Sequence, residues 1–340
     1  MLVEVAVNSN DAGQRAERFL RKHFDFMTLD RLQSLFRRKE IKIGRKPIKA
    51  NHPLQAGDFI QVYGVREEDL KPPSDSQGVE KSPERPVPAR VNPPAWVQPF
   101  QIPILHEDKE ILVLDKPAGM AVHPGTGIST GDSLIEKVWE YLAPDRVPGE
   151  LFQPSLVHRL DKDTSGVIVV AKTGGSLRRL NSAMREGAFS KRYLALVEGV
   201  PSPAAGEISG LLRRVDSRTG GAKAEVTEDD GKWSVTRYKT VKDLGNFSLL
   251  GVIIETGRMH QIRAHLAHMG HPLAGDPRYG DFEKNRAYRK TFGLKRTFLH
   301  AADLDLDLGK GGKLSFHAPL PKDLSAVMEK LKHQEFTPPL

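Results

Sequence analysis

His158-Arg159-Leu160-Asp161-Lys162-Asp163-Thr164-Ser165-Gly166 gathers a histidine, an arginine and two carboxylates into nine residues and ends in a turn. The next five residues, Val167-Ile168-Val169-Val170-Ala171, form a continuous apolar run that predicts a buried strand. A carboxylate held beside a guanidinium at the mouth of a rigid strand stays ionised and well placed. Asp161 is therefore the first candidate for a nucleophile or a general base.

Outside this segment, the chain alternates strand patterns with a smaller number of helix patterns. Apolar and alternating runs over 111–115, 191–197, 233–240 and 247–255 predict strands, and residues 176–184 carry a helical stripe. Many strands and few helices indicate an α+β domain around a large mixed sheet.

Composition limits the class of protein. At 340 residues the chain is long enough for two domains, and its lack of cysteine excludes disulfides, thiol chemistry and cysteine-based zinc sites. No apolar run approaches the ~18 residues of a membrane-spanning helix, and the acidic start at Glu4 does not resemble a signal peptide. We therefore expect a soluble, cytoplasmic protein.

A proline-rich segment predicts the domain boundaries. Residues 67–100 contain 8 of the 24 prolines, mixed with charges, serine and glutamine. Val87-Pro88-Ala89-Arg90-Val91-Asn92-Pro93-Pro94 fits neither a helix interior nor a central strand. We expect a semi-rigid linker over 67–100 that joins a domain of residues 1–66 to a larger one of residues 101–340.

The segment before the linker has the patterns of a small α+β module. Residues 13–24 have helical spacing, and Thr28 is placed to cap a second helix that carries Leu29, Leu32, Leu35 and Phe36 inward. Residues 41–48 predict a strand, a glycine turn and a second strand, and residues 59–63 predict another strand after a turn.

This module carries most of the excess of positive over negative charge. The chain has a net charge of +8, and residues 11–63 hold 12 Lys and Arg against 6 Asp and Glu. The candidate RNA-binding cations are Arg37, Arg38, Lys39, Arg45 and Lys46. They could be a solvated helix end and turn, but the pattern as a whole favours contacts with an RNA backbone.

A second candidate segment spans residues 255–272. Ile262, Leu266 and Met269 form one apolar stripe of a predicted helix, and Gly270 fits the position after its end. Arg263 lies beside this stripe, so its stem can be buried while its guanidinium points sideways.

Histidines in the same segment raise the question of a metal. The segment contains His260, His265, His268 and His271. Helical histidine pairs without a carboxylate at zincin spacing are usually packing or phosphate contacts, so we expect no metal site.

Three generic interpretations of Asp161 compete. A kinase-type His-Arg-Asp loop would need a glycine-rich phosphate loop upstream and Asp-Phe-Gly downstream, and both are missing. An aspartyl-phosphate site lacks a phosphate cradle. A structural turn, in which the carboxyl caps backbone amides, stays open and fits Asp163 better than Asp161.

Together the two segments resemble the RluA-type pseudouridine synthases. The motif His-Arg-Leu-Asp-x-x-Thr-Ser-Gly stands at 158–166, Lys-x-Tyr-x-Ala at 191–195, and Thr-Gly-Arg-x-His-Gln-Ile-Arg at 256–263. Gly275-Asp276-Pro277-Arg278-Tyr279-Gly280 and the Lys116-Pro117 loop extend the similarity over residues ~103 to 320. Within the family, the sequence resembles the ribosomal large subunit pseudouridine synthase C type.

The resemblance implies roles for several residues. It implies that Asp161 is the catalytic carboxylate, that Arg263 pairs with it and lowers its pKa, and that Tyr193 stacks on the flipped uracil. It also implies that Arg159 fills the stack vacated by the base. His158 is expected to contact phosphate or to fix the loop. The pocket wall is expected to contain Ile262 and Leu266.

The same resemblance implies the fold and the partners. It implies a large, mixed, mainly antiparallel sheet, and residues 1–66 look like the small RNA-binding module first seen in ribosomal protein S-four. The implied partner is large-subunit ribosomal RNA, with no cofactor, no metal and no membrane, and we expect a monomer because no apolar stripe is left unexplained. The alternatives are the same chemistry on transfer RNA or another RNA, and a non-catalytic RNA-binding or ribosome-assembly factor.

Overall fold

The structure is a computed structural model that describes residues 1–24, 26–70, 100–125, 128–145, 152–216, 222–309 and 312–332. The chain divides into two compact units, the first drawn from Met1–Pro99, Val138–Ser155 and Ala171–Arg179, and the second from Phe100–Lys137, Leu156–Val170 and Leu180–Leu340. The predicted linker falls mostly on residues 71–99, which lie outside the described residues. The boundaries at 66 and 100 therefore stay a prediction.

The amino-terminal segment has the helices and strands that its sequence predicts, together with a first strand, β1, that was not predicted. In chain order they are β1 (Val3–Ala6), α1 (Ala16–His23), α2 (Leu29–Arg37), β2 (Ile41–Ile43), β3 (Lys46–Pro47) and β4 (Phe59–Val62), with a 3-10 turn at Glu67–Asp69. The strands form a sheet in the order β1-β4-β2-β3, and the two helices share one apolar core with it.

Local sequence explains two features of this segment and contradicts one expectation. The Thr28 hydroxyl accepts a hydrogen bond from Arg31 N (3.3 Å) and caps α2, as predicted. Gly44 and Arg45 both have positive φ (53° and 69°), which matches a tight hairpin between β2 and β3. Leu29 is 39% exposed, so the prediction that it faces inward is wrong. It occupies the first position of α2, where the helix does not yet pack against the core.

From residue 100 onward the described chain alternates many strands with a few helices. Before α5 these elements are β5 (Ile104–Glu107), β6 (Ile111–Lys116), α3 (Leu134–Leu142), β7 (Ser155–Leu156), β8 (Ser165–Ala171), α4 (Gly174–Arg185), β9 (Phe189–Glu198), β10 (Ala205–Asp216), β11 (Ala222–Thr227), β12 (Lys232–Asp243) and then β13 (Phe247–Ile254). The rest are α5 (Gln261–His268), α6 (Phe282–Phe292), β14 (Leu299–Asp307), β15 (Lys313–His317) and α7 (Lys322–Lys332).

These strands confirm the predicted fold class. Among the described residues, eleven strands form one sheet in the order β11-β10-β12-β13-β9-β14-β8-β6-β5, with β15 beside β14 and β7 beside β8. Most neighbours are antiparallel, while β14 and β8 are parallel. The sheet is therefore large, mixed and mainly antiparallel, in an α+β protein.

The strand β8 is the buried strand that the apolar run predicts. All seven of its residues are buried. Gly166 has φ 117°, and a Cβ there would lie 2.1 Å from the carbonyl oxygen of Ala301 on β14. Only glycine combines this backbone conformation with so close an approach. Gly166 therefore fixes the point at which the loop that carries Asp161 enters the sheet.

Among the described residues, no helix is both long enough and apolar enough to cross a membrane.

Candidate active site

A pocket in the second unit brings together most of the residues singled out in the two segments. Its lining comprises Arg159, Leu160, Asp161, Thr164, Tyr193, Ile254, Gly257, Arg258, His260, Gln261, Ile262, Arg263 and Leu299. The loop before β8 supplies one wall, the start of α5 supplies another, and β9 lies between them. Asp161, Tyr193, Arg263, Arg159 and Ile262 thus line one cavity although they come from three distant parts of the chain.

The backbone of the Asp161 loop is held from several sides. Thr164 N donates to the Asp161 carbonyl oxygen (3.1 Å) and closes the turn. The Arg296 guanidinium donates to the Asp163 carbonyl oxygen (3.1 Å) and to the Ser165 hydroxyl (3.2 Å). Ser165 also bonds to Nδ1 of the buried His300 (2.9 Å). The loop is therefore positioned by the body of the sheet.

A buried lysine completes this support. Lys116 Nζ donates to three carbonyl oxygens, those of Pro117 (2.8 Å), Met120 (2.9 Å) and Lys162 (3.0 Å). Burial lowers the pKa of Lys116 to about 7, and the charge of Asp163 opposes that shift. The lysine thus joins the loop after β6 to the Asp161 loop. The Lys-Pro pair is visible in the sequence, but its distant acceptor is not.

Arg263 lies between two carboxylates. Its Nη1 donates to Asp161 Oδ2 (3.1 Å), while its Nε and Nη2 donate to Asp276 Oδ2 (2.7 Å) and Oδ1 (2.9 Å). The Asp276 side chain has no exposed surface, whereas that of Asp161 is 19% exposed. Asp276 therefore fixes the guanidinium, and the remaining nitrogen, Nη1, points at the carboxylate of Asp161, which faces the pocket.

The charge of this arginine is secured by its partners. Burial alone would lower the pKa of Arg263, but the hydrogen bonds and charge of Asp276, followed by those of Asp161, raise it above its usual value. Asp276 is oriented in turn by the backbone N–H groups of Arg278 (2.9 Å) and Tyr279 (3.2 Å). The guanidinium that faces Asp161 therefore carries a permanent positive charge.

The start of α5 is built to present Arg263. The Gln261 side chain is buried; its amide donates to Val235 O (2.9 Å) and its oxygen accepts from Thr256 Oγ1 (2.7 Å). His260, just before the helix, has a left-handed backbone (φ 52°). These constraints fix the first turn of the helix, on which Arg263 lies.

Tyr193 lies on β9 at the floor of the pocket and is 6% exposed. Burial raises the pKa of its phenol, and the charge of Asp161 raises it further. The phenol is therefore protonated at neutral pH and keeps an O–H group in the pocket.

His260 and Tyr279 are neighbours of Asp161 and Arg263 that sequence reasoning left without a role. His260 Nε2 is 3.8 Å from Asp161 Oδ2, and its Nδ1 is 3.1 Å from the Tyr279 hydroxyl. Burial lowers the pKa of His260, with Asp161 acting in the opposite direction. Tyr279 also places its ring 5.1 Å from the Arg263 guanidinium. Both residues, like Asp276, lie within the family motifs, so a signal was present although their contacts were not visible.

Arg159 and His158 have different surroundings although they are adjacent. Arg159 is exposed and lines the pocket. His158 Nε2 accepts a hydrogen bond from Val169 N on β8 (3.2 Å), and burial lowers the pKa of His158 to about 3. Two roles were expected for His158, contact with phosphate and fixing of the loop. A neutral ring that is hydrogen-bonded to β8 fits the second of these roles.

The two predicted wall residues also differ. Ile262 lines the pocket, but Leu266 is fully buried and does not line it. Leu266 lies one turn further along α5, where the helix packs on the protein core, so its assignment to the pocket wall is corrected to a core position.

The remaining predicted residues lie elsewhere. Arg37, Arg38, Lys39, Arg45 and Lys46 are all exposed, at the end of α2 and in the β2–β3 hairpin of the first unit. Two histidines of the second segment are separated: His265 bonds to Ser234 and Thr236, and His271 bonds to Glu198 O. Within the described ranges, no group of three or more histidine or carboxylate side chains is placed to hold a metal.

Comparison with known proteins gives consistent matches. A model of the family described as RNA pseudouridylate synthase matches residues 110–268. The chain is 35% identical over 331 residues to ribosomal large subunit pseudouridine synthase C of Escherichia coli (strain K12), covering 97% of this chain and 96% of that protein. The protein of the same name from Vibrio cholerae is 32% identical over 342 residues, with 96% of each chain covered. The solved structure of human RNA pseudouridylate synthase domain containing 4 has a TM-score of 0.54 and 25% identity, and the match covers 68% of this chain and 93% of that one.

The buried His265 of α5 predicts a loss of stability in acid. Burial lowers its pKa to about 4, whereas a histidine in an unfolded chain has a pKa of about 6.5. Between these values the unfolded state binds more protons, so the free energy of unfolding falls as the pH decreases, by up to about 1.4 kcal/mol per pH unit. In urea unfolding at pH 7.0 and at about pH 4.5, His265→Gln should lose less stability between the two pH values than the unchanged protein.

His268→Gln is the matched control, because His268 lies on the same helix and is exposed. This variant should keep most of the acid dependence, because burial, the larger cause of the low pKa of His265, is unchanged and only the smaller effect of the His268 charge is lost. Equal pH dependence of all three proteins would show that His265 does not contribute to it.

Proposed function

This chain belongs to the RNA pseudouridine synthase family, as a relative of ribosomal large subunit pseudouridine synthase C, and we propose from its pocket that Asp161 is the carboxylate on which catalysis depends. The enzymes of this family are isomerases. The observation that carries the proposal is the 3.1 Å contact between Asp161 and an arginine that a second, buried carboxylate holds in place. A carboxylate that only supported the fold would have no need to face an open pocket.

The reaction sets the chemical demand on that carboxylate. In uridine the bond between N1 of the base and C1′ of the ribose breaks, the base turns, and a bond forms between C5 and C1′. C5 loses its proton and N1 gains one, so atoms and electrons balance without an oxidant or a reductant. A side chain that adds to the substrate as a nucleophile, or that accepts the C5 proton, must be ionised. Arg263 places a permanent positive charge 3.1 Å from the Asp161 carboxylate.

Tyr193 is proposed to lie against the uracil ring. Its phenol is buried and protonated, and the charge of Asp161 raises the pKa of the phenol. The flat ring offers a stacking surface for a base, and the O–H group stays beside the atoms that exchange protons. Ile262 completes an apolar wall on the opposite element.

Arg159 is proposed to occupy the space that the flipped base leaves in the RNA. A base inside structured RNA must be taken out of its stack, at a cost of a few kcal/mol. Arg159 is exposed, and it lines the same cavity as Asp161 two residues later. A planar guanidinium at that position can stack between neighbouring bases and so offset part of the cost.

The substrate proposed for this chain is large-subunit ribosomal RNA. Relatives that match nearly the whole chain carry that target in their names. The exposed cations at the end of α2 and in the β2–β3 hairpin support it, because phosphate contacts outside the pocket position a large RNA without reading its sequence. As part of the same proposal, residues 1–66 form an S-four-like RNA-binding module, and the protein acts in the cytoplasm.

Asp161→Asn should abolish turnover and leave RNA binding intact. The amide has nearly the same shape but can neither attack nor accept a proton, so the rate should fall by more than about 10³-fold. Release of tritium from RNA that carries 5-tritiated uridine measures turnover, and filter binding measures affinity. Asp163→Asn is the matched control, because it removes a carboxylate two residues away and should stay active. Appreciable turnover by Asp161→Asn would contradict the proposal.

The choice of RNA is tested by mapping pseudouridines in cells that lack the gene. Specific positions of large-subunit ribosomal RNA should return to uridine, and the unchanged gene should restore them while the Asp161→Asn gene should not. If only transfer RNA positions change, the target is transfer RNA. If no position changes, the assignment of an RNA substrate in the cell is wrong.

A further inference from the structure

The helix α6 is anchored by one apolar face. Asp281 caps its start by accepting a hydrogen bond from Lys284 N (2.9 Å). Tyr288 and Phe292 are buried, with their rings 5.0 Å and 5.9 Å from the ring of Phe247 on the sheet. Gly293, with φ 77°, ends the helix. This anchoring fixes the direction in which the opposite face points.

That opposite face is strongly cationic. Residues 282–296 contain six lysines and arginines and one carboxylate, Glu283. Lys330 Nζ on α7 is 3.6 Å from the place that a Cβ on Gly293 would occupy, so α7 adds its charge to the end of α6. The exposed cations of this region, which we call the α6 surface, are Arg286, Arg289, Lys290, Lys295 and Lys330.

Most of this charge is not used inside the protein. Arg286 pairs with Glu283 (3.5 Å), but the other four cations have no ion pair in the described parts of the chain. Cations in the last turn of a helix interact favourably with its dipole, which accounts for Arg289 and Lys290. The same effect accounts for Lys330 in the last turn of α7, but it does not account for Lys295, which follows α6. Like charges gathered in this way attract a polyanion.

The α6 surface is joined to the active site by direct hydrogen bonds. Asn285 of α6 accepts from Gly275 N (2.9 Å) and donates to Asp276 O (2.8 Å), and Asp276 is the residue that holds Arg263. At the other end of the segment, Arg296 donates to the carbonyl oxygen of Asp163 in the Asp161 loop (3.1 Å). A phosphate bound on α6 would therefore lie at a fixed place relative to the pocket.

We propose that the α6 surface binds the phosphate backbone of the substrate RNA outside the catalytic pocket and thereby positions the target uridine. The proposal rests on the function proposed above, because it takes the RNA as substrate. A lysine ammonium binds phosphate as a point charge and an arginine guanidinium binds it with two parallel hydrogen bonds, and neither contact depends on the base sequence. The surface thus provides affinity and orientation rather than sequence recognition.

The test reverses two of the free charges. Arg289→Glu/Lys290→Glu should weaken binding to full-length large-subunit ribosomal RNA by about ten-fold at moderate salt, and should make affinity less dependent on salt. The value of KM should rise with it, while kcat stays unchanged because no group in the pocket is altered. The neutral variant Arg289→Gln/Lys290→Gln should show a smaller effect in the same direction. Thermal unfolding of each variant checks that the exposed substitutions leave the fold intact.

Lys239→Glu/Lys242→Glu is the matched control. Both lysines are exposed on β12, and the double variant makes the same change in net charge within the same unit. It should bind RNA nearly as well as the unchanged protein. Equal weakening of both charge-reversed variants, or weakening of neither, would overturn the proposal. A failure of the proposed function is separate: the unchanged protein would then release no tritium from any RNA, whatever α6 does.

Discussion

The buried guanidinium of Arg263 is the constraint on which the site depends. Removing one arginine and its partners from water costs several kcal/mol per ion, and the loss is recovered only with good geometry and complete hydrogen bonding. Asp276 meets that condition with two bonds of 2.7 and 2.9 Å and no exposed surface, so the cation is fixed before any substrate arrives. The third nitrogen donates to Asp161, at the edge of the pocket. One interaction therefore fixes the direction in which a permanent cation faces the carboxylate that we propose to be reactive.

The large sheet holds the Asp161 loop, which carries the other partner of the contact with Arg263. Gly166 lets β8 run against β14 at a distance that no side chain would allow, and the loop before it is held by Lys116 and Arg296. Such preorganisation matters for catalysis because groups that are already oriented need no rearrangement in the transition state. The floor that carries Tyr193 belongs to the next strand, β9, which pairs with β14.

The sequence predicted what local pattern determines. The buried strand β8, the helix α5 with its apolar stripe and the fold class followed from periodicity and from the family resemblance, and Asp161 and Arg263 were both singled out. Asp276 was part of a motif but had no role, because its partner is set by a buried bond that the pattern of residue types does not encode. Leu266 was misplaced because periodicity shows that a helical residue is apolar, not whether it faces a cavity or the core. The distant acceptor of Lys116, the carbonyl oxygen of Lys162, was equally invisible, since it lies 46 residues away.

The most direct test of this account is the single-turnover rate of the Asp276→Asn variant at saturating RNA. Asp303→Asn is the control, because Asp303 is also paired with an arginine but does not line the pocket. Asp276 does not line the pocket, and its shortest side-chain bond is to Arg263, which contacts Asp161, so we expect its effect to reach Asp161 through Arg263. The account predicts a rate lower by about 10²-fold or more, with RNA affinity preserved, in a variant that still unfolds cooperatively. A folded Asp276→Asn protein with the rate of the unchanged enzyme would contradict it.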